Sequence, residues 1–310
     1  MTLQTEKNLL RKLKTGVCAL ALAGVLLAPS AASFAADQKV TETVQAEVQQ
    51  DTQTQTAEKR QKITAEALAA LQETTNALKA LDEGKTEDAL ASLEKATGKL
   101  EIVLAREPRL AFAPVAVTSN SQDIITSTDM AKRMVDQAED LLEDGKVQDA
   151  RALLSTLASE TAITVTSLPM ASYPAALKQA AAFIDDGKVE EAKTVLQVAL
   201  NTLAVDVTII PIPVANAEAL LAQAKVLAET KDRTAEQNEQ LTKLLDAAES
   251  EVKFAQTLGY GEKKDFEGFY EEIKTIREKT SEGKSGTGFF KKITGYMTSM
   301  TEDSQQDNSQ

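Results

Sequence analysis

Three stretches, "ALDEGKTEDALASL", "LLEDGKVQDARALL" and "FIDDGKVEEAKTVL", carry one pattern: two acids, Gly-Lys, a spacer, polar or acidic residues, then Ala and Leu at fixed offsets. The glycines are Gly84, Gly145 and Gly187. A proline stands 24 residues after each (Pro108, Pro169, Pro211), and a β-branched residue 18 after each (Ile102, Ile163, Val205). The glycines are spaced by 61 and 42 residues, so the second and third units adjoin, while the first is set apart by 19 extra residues that include "TSNSQDIITSTD". Such self-similarity marks internal duplication. The fold must therefore be assembled from copies of one unit.

Each unit reads as a helical hairpin. Ala/Leu-rich residues at helical spacing precede each glycine, as in Ile63, Ala67, Leu71, Leu78 and Leu81. Glycine follows because the residue past a helix end often adopts a left-handed backbone, which costs Gly little. Glu87, Asp88, Glu190 and Glu191 then fall in the first turn of the next helix, where they meet its positive dipole end. Leu93, Leu154 and Leu196 are placed to point inward a turn or two later. Acids before the glycine (Asp82, Glu83, Glu143, Asp144, Asp185, Asp186) crowd the negative end of the first helix, and Lys85, Lys146 and Lys188 stand where they offset part of that cost.

Two chemical readings compete with the bend. A calcium loop needs several spaced oxygen ligands, and this motif supplies two adjacent acids. A phosphate cradle is suggested by "GKT" at 84–86 and "GKS" at 283–285, but the leading glycine is Lys79 in one and Glu278 in the other. "GKSGT" likewise breaks the G-x-S-x-G pattern at Thr287. The bend is read as plain scaffolding.

Between hairpins run "LEIVLAREPRLAFAPVAV", "ITVTSLPMASYPAAL" and "LAVDVTIIPIPVANAEALL", whose branched residues and prolines interrupt helix. They are extended or kinked, and either pair as short strands or cross the bundle. Pro174 suits a helix's first turn and Asn216 is placed to cap another. A degenerate fourth unit follows, two helices bending near 231–233 and stopping at Gly259 or Gly261, then a helix over 264–279. The fold class expected is mostly all-α: duplicated helical hairpins with short extended Pro-containing connectors in a bundle-like arrangement. Its core domain is 61–280, with a flexible linker at 281–288 and an amphipathic tail helix at 289–300, striped by Phe289, Ile293, Tyr296 and Met300. That helix is expected to dock on protein rather than membrane, since Lys291 and Lys292 are few for an interfacial anchor. Residues 36–60, rich in Gln and Thr, and 301–310 read as disordered.

Residues 1–35 read as a signal peptide: Lys7, Arg11, Lys12 and Lys14 precede the apolar run Gly16–Ala28, and Ser33 and Ala35 offer a small-residue cleavage site. Export to the periplasm is expected. The one cysteine, Cys18, leaves with that segment, and Val17 before it argues against lipidation. Without Cys or His, disulfides, soft-metal sites and His-based catalysis are excluded by inventory. Removing the signal's four basic residues and Glu6 leaves 30 basic against 46 acidic residues, or −16. That field repels nucleic acid and favours cationic partners.

The stretch "SETAITVTSLPMASYPAALKQAAAFIDDGKVEEAKTVLQVALNTL", with "IIPIPVANAEALLAQA" and "AQTLGYG" after it, resembles the YfdX family of bacterial exported proteins, over roughly 63–280. The resemblance implies a mostly helical, periplasmic, oligomeric protein of a Gram-negative bacterium, tied to stress responses, with chaperone-like or small-molecule-binding roles and no agreed catalytic residues.

No catalytic, cofactor or metal residue is nominated, and no enzyme activity is expected. The leading functional expectation is a stress-associated binding protein that holds protein clients on apolar surface. The alternative is a binder of cationic or amphiphilic small molecules in an apolar pocket lined by Leu168, Met170, Tyr173 and Ile210. A glycan-directed carboxylate enzyme ranks third.

Overall fold

The computed structural model describes the backbone over residues 31–306, except 63, and side chains over 44–300. Most of the signal segment, and 307–310, lie outside the described residues. The chain divides into two compact units, Met1–Thr41 and Glu42–Gln310. Within the larger unit the fold is mostly α-helical, with one three-stranded sheet among the described residues.

The duplicated unit is a helical hairpin followed by a strand. The first copy is α2 (Ala65–Asp82), α3 (Thr86–Arg106) and β1 (Phe112–Gln122); the second is α4 (Thr128–Glu143), α5 (Val147–Leu154) and β2 (Glu160–Pro169). The third is α6 (Tyr173–Asp185), α7 (Val189–Asn201) and β3 (Ala204–Pro211). The three bends are built alike. Gly84, Gly145 and Gly187 hold φ of 73°, 72° and 74°. In each, the glycine N–H bonds back to a carbonyl three residues earlier (Leu81, Leu142, Ile184), and the lysine N–H to one five residues earlier (Ala80, Leu141, Phe183) at 2.8 Å. These two bonds close the helix end in a Schellman motif. The lysine ammonium then folds back on the acid before the glycine: Lys85–Glu83 2.7 Å, Lys146–Asp144 2.8 Å, Lys188–Asp186 3.0 Å. One of the two acids that crowd the helix end is thereby paired at each bend.

The connectors pair as strands, in the order β1-β2-β3, both pairs antiparallel. Phe112 faces Pro169 and Gln122 faces Glu160, so the first and third hairpins leave one end of the sheet and the second leaves the other. At the first end, α2 packs on α7 and α3 on α6, and their buried alanines and leucines close with Leu168, Met170 and Tyr173 into one core. Small side chains at Ala70, Ala77, Ala89, Ala96, Ala180 and Ala192 allow helices to approach closely. A smaller cluster, Val117, Ile163 and Ile210, sits on the sheet.

The fourth pair is α8 (Ile212–Glu229) and α9 (Ala235–Leu258), followed by α10 (Lys263–Thr280) and α11 (Lys291–Gln306). A capping box at Thr234 and Gln237 starts α9, and Gly259 at φ 86° stops it. Arg233, 7% exposed, ties this half together. Its guanidinium donates to the carbonyls of Leu227, Ala228 and Thr230 at the end of α8, and to those of Thr280 and Lys284 at the end of α10. Its Nε donates to Asn238 Oδ1 at 2.9 Å. A cation at two helix C-termini meets two negative dipole ends at once.

Several expectations change. Residues 36–60, read as a disordered leader, lie in a helix, α1 (Ala31–Gln61), because Val44, Val48 and Thr56 recur at multiples of four and are buried, and Lys59 reaches Thr208 at 2.5 Å. The 281–288 linker holds a 3-10 turn, Ser281–Gly283, and is bound by Arg233 rather than loose. The tail helix runs past 300, and its fully covered stripe is Phe290, Ile293, Met297 and Met300; Phe289 and Tyr296 are half-buried beside it. It docks on α10, α8 and β3 of its own chain. Asn216 lies inside α8, which starts at Ile212 after Pro211, so it caps nothing. The offset of 24 joins unlike places: Pro169 and Pro211 end strands, but Pro108 follows a helix longer than its counterparts. Leu93 and Leu196 are buried as expected, whereas Leu154 is 44% exposed.

Two predictions follow from the bends and the staple. Gly187→Ala meets no steric neighbour, so its cost is the left-handed backbone alone, about 1 kcal/mol in urea unfolding, with Gly187→Asn milder. Arg233→Lys removes the planar fork and leaves buried carbonyls unpaired; it is expected to lower stability by about 3 kcal/mol or more and to speed hydrogen exchange in 280–300.

Candidate functional site

A cavity of about 780 Å³ lies between α1 and the sheet, near the end from which the second hairpin leaves. The strand alternation accounts for its floor. Directly opposed residues share a face, so Ser119, Ser121 and Thr161 stand on the same side as Thr208, the side α1 covers. Successive α1 turns form the roof with Gln45, Gln49, Thr52, Gln53, Thr56 and Arg60. Ile212 and Asn216 of α8 close one wall, and Asp123 and Ile125, just past β1, stand at another. Ile125 is 97% exposed, which marks an open rim.

Behind the floor runs a polar seam. Ser121 Oγ and Thr161 Oγ1 are 2.8 Å apart, Ser159 Oγ donates to Asp123 Oδ1 at 2.5 Å, and the Ser159 N–H donates to the Tyr260 hydroxyl at 3.0 Å. That hydroxyl donates to Glu160 Oε2 at 2.8 Å. Burial is the largest cause raising Tyr260 above the usual phenol value, with Glu160 and Asp123 adding, so it stays a proton donor here. Asn216 Nδ2 donates to Glu251 Oε2 at 3.4 Å. Burial pushes the Glu251 carboxyl up to about 7; the Asn216 bond pulls the other way and the negative field of Asp123 adds to the rise. Near neutral pH Glu251 thus exchanges a proton beside the cavity wall. The seam can bind and orient a polar group.

The sequence did not single out these residues. Asp123 and Ser121 lie within the "TSNSQDIITSTD" run that sets the first unit apart, and the sequence places Asn216 only as a cap. Their only signal is that polar residues 119, 121 and 123 continue the alternation begun by Val115 and Val117. The nominated apolar pocket is not there: Leu168, Met170 and Tyr173 are buried in the core of the first and third hairpins and Ile210 in the smaller cluster, and none lines this cavity. Among the described residues no group of three or more acids is arranged to hold a metal ion, and none of the helices is long and apolar enough to cross a membrane.

Residues 70–208 match the family model described as YfdX protein. Over this segment, less than half of the chain, the sequence is similar to the YfdX family. It takes in all three glycine bends and ends inside β3, short of the 280 expected, so α8 to α11 and α1 lie beyond it. A solved structure, YfdX of Salmonella Typhi, is similar to the chain at 14% identity and a TM-score of 0.34, covering 48% of this chain and 93% of that one. No curated protein matches. The cavity therefore joins a YfdX floor, with Ser119, Ser121, Asp123 and Thr161, to a roof and wall that flanking sequence provides.

A raised carboxyl binds more protons folded than unfolded between about pH 4.5 and 7, so its contribution to stability falls as pH rises through that window. Glu251→Gln should flatten this slope relative to the parent chain and raise Tm above pH 7 by a few degrees, measured by calorimetry across pH 4 to 8.

Proposed function

We propose that the chain is an exported, non-catalytic binding protein that takes a small, polar, amino-bearing molecule into the cavity under α1. The observation that carries this is the cavity's chemistry: hydroxyls on the floor, hydroxyls and carboxamides on the roof, and Asp123 and Arg60 as the charged residues of the lining. Such a wall suits a hydroxylated ligand, and an ammonium would meet Asp123 in a chain of net charge −13. A long-tailed amphiphile suits it poorly, since Val48, Ile125 and Ile212 are the apolar residues of the lining. Export and a role under stress belong to the same reading and are supported by the N-terminal basic-apolar sequence and by the YfdX segment.

Client holding is the second reading, favoured by half-exposed Met130, Leu142, Val147 and Leu154 on the second hairpin. It ranks below because the apolar connectors are paired in the sheet, and many of their residues are buried.

Glucosamine and spermidine, tested by thermal shift and calorimetry at millimolar concentration, should raise Tm in the parent chain and not in Asp123→Asn. No shift with either probe argues against a ligand-binding cavity. Suppression of aggregation of an unfolded client by the parent chain, lost on Leu154→Gln, would move the second reading ahead.

A further inference from the structure

Arg60 and Asp123 are the charged residues of the cavity lining, and neither makes an ion pair among the described residues. The strand register sets them apart. Lys59, next to Arg60, reaches Thr208, which lies across Ile163 from Ser119, so the last turn of α1 stands at the level of Ser119. Asp123 lies four residues further along, just past Gln122, where β1 ends. Four residues at about 3.3 Å each, less the reach of the arginine, place the two charges on the order of 10 Å apart. Between these levels the lining is polar, with Thr56, Ser121 and Thr161. The Asp123 end holds a further acceptor. Asn216 gives its Nδ2 to Glu251, while its Oδ1 is buried without a partner. An unpaired acceptor in the wall favours a ligand end that brings several donors, as an ammonium does.

We propose that the ligand is a zwitterion of tripeptide length, its ammonium held at Asp123 and its carboxylate at Arg60. This rests on the reading of the cavity as a ligand site and adds to it a second charge and a span. Three extended residues cover about 10 Å, whereas a single amino acid reaches only one of the two charges. Each inner amide offers a donor and an acceptor, which the hydroxyls and carboxamides of the walls match in either direction. A zwitterion also brings no net charge into the field of a chain at −13, where a dicarboxylate is repelled. The open rim at Ile125 leaves room for side chains, so weak dependence on residue type is expected.

Calorimetry on the full chain tests this with trialanine, its N-acetyl and C-amide forms, and alanine. Trialanine is expected to bind, and alanine and both blocked forms to bind more weakly by about tenfold or more. Arg60→Gln should make binding indifferent to C-amidation while keeping its sensitivity to N-acetylation; Asp123→Asn should do the reverse. Both positions are exposed, so the unliganded variants are expected to keep the parent's Tm, and if one does not, the blocked peptides on the parent chain decide. Binding of glucosamine or spermidine without trialanine, or trialanine binding that ignores both blocking groups, overturns the tripeptide assignment and leaves the polar ligand site standing. Failure of every probe overturns both.

Discussion

Antiparallel strand pairing is the constraint from which the rest of the architecture follows. Each duplicated unit ends in a strand, and each new strand must run opposite to the last to satisfy its backbone hydrogen bonds. Successive hairpins are thereby sent to alternate ends of the sheet. The first and third become neighbours despite lying far apart in sequence, and together they close a four-helix core. The second is left with the degenerate fourth pair, and that asymmetry gives one hairpin an open tip.

The same alternation makes the cavity. A bulge between Pro114 and Ala116 puts Ala113 on the face of Leu168 and turns Val117 to the face of Ile163, where Ser119 and Ser121 follow it toward the second hairpin's end of the sheet. There Ser119, Ser121, Thr161 and Thr208 stand beside Ile163 and Ile210, and the helix that crosses this face answers with Gln and Thr. A hydrogen-bonding space between two polar surfaces holds together because α1 is anchored on either side of it, through buried Val44 and Val48 near one end and Lys59 on Thr208 near the other. The seam behind it binds strand ends to the α9–α10 junction through Tyr260, so the floor is braced by elements outside the YfdX segment.

Much of the local structure was readable from residue order. The glycine bends, their lysine pairing, Pro174 in a first turn and the stop at Gly259 all rest on interactions within a few residues, where chemistry and spacing suffice. The cavity was not readable, because its lining joins positions 45 to 216 through a face that only strand register defines. The leader was misread for a related reason. Threonines weaken the intrinsic helix preference of this stretch, and burial of Val44, Val48 and Thr56 with the Lys59 bond to Thr208 offsets its ordering entropy. The tail stripe slipped by a residue because docking against β3, α8 and α10 selects Phe290 and Met297 over their neighbours.

What the sequence by itself determined is the repeating module and the chemistry withheld from it: three left-handed glycine bends between amphipathic helices, and no histidine. Those are properties of single residues and short spacings. Only tertiary structure decided which hairpins meet, which leucines stay in water and where a polar cavity opens. The physical reason is that near-identical hairpins have equivalent faces, and their fates differ through the direction of the strands that follow them.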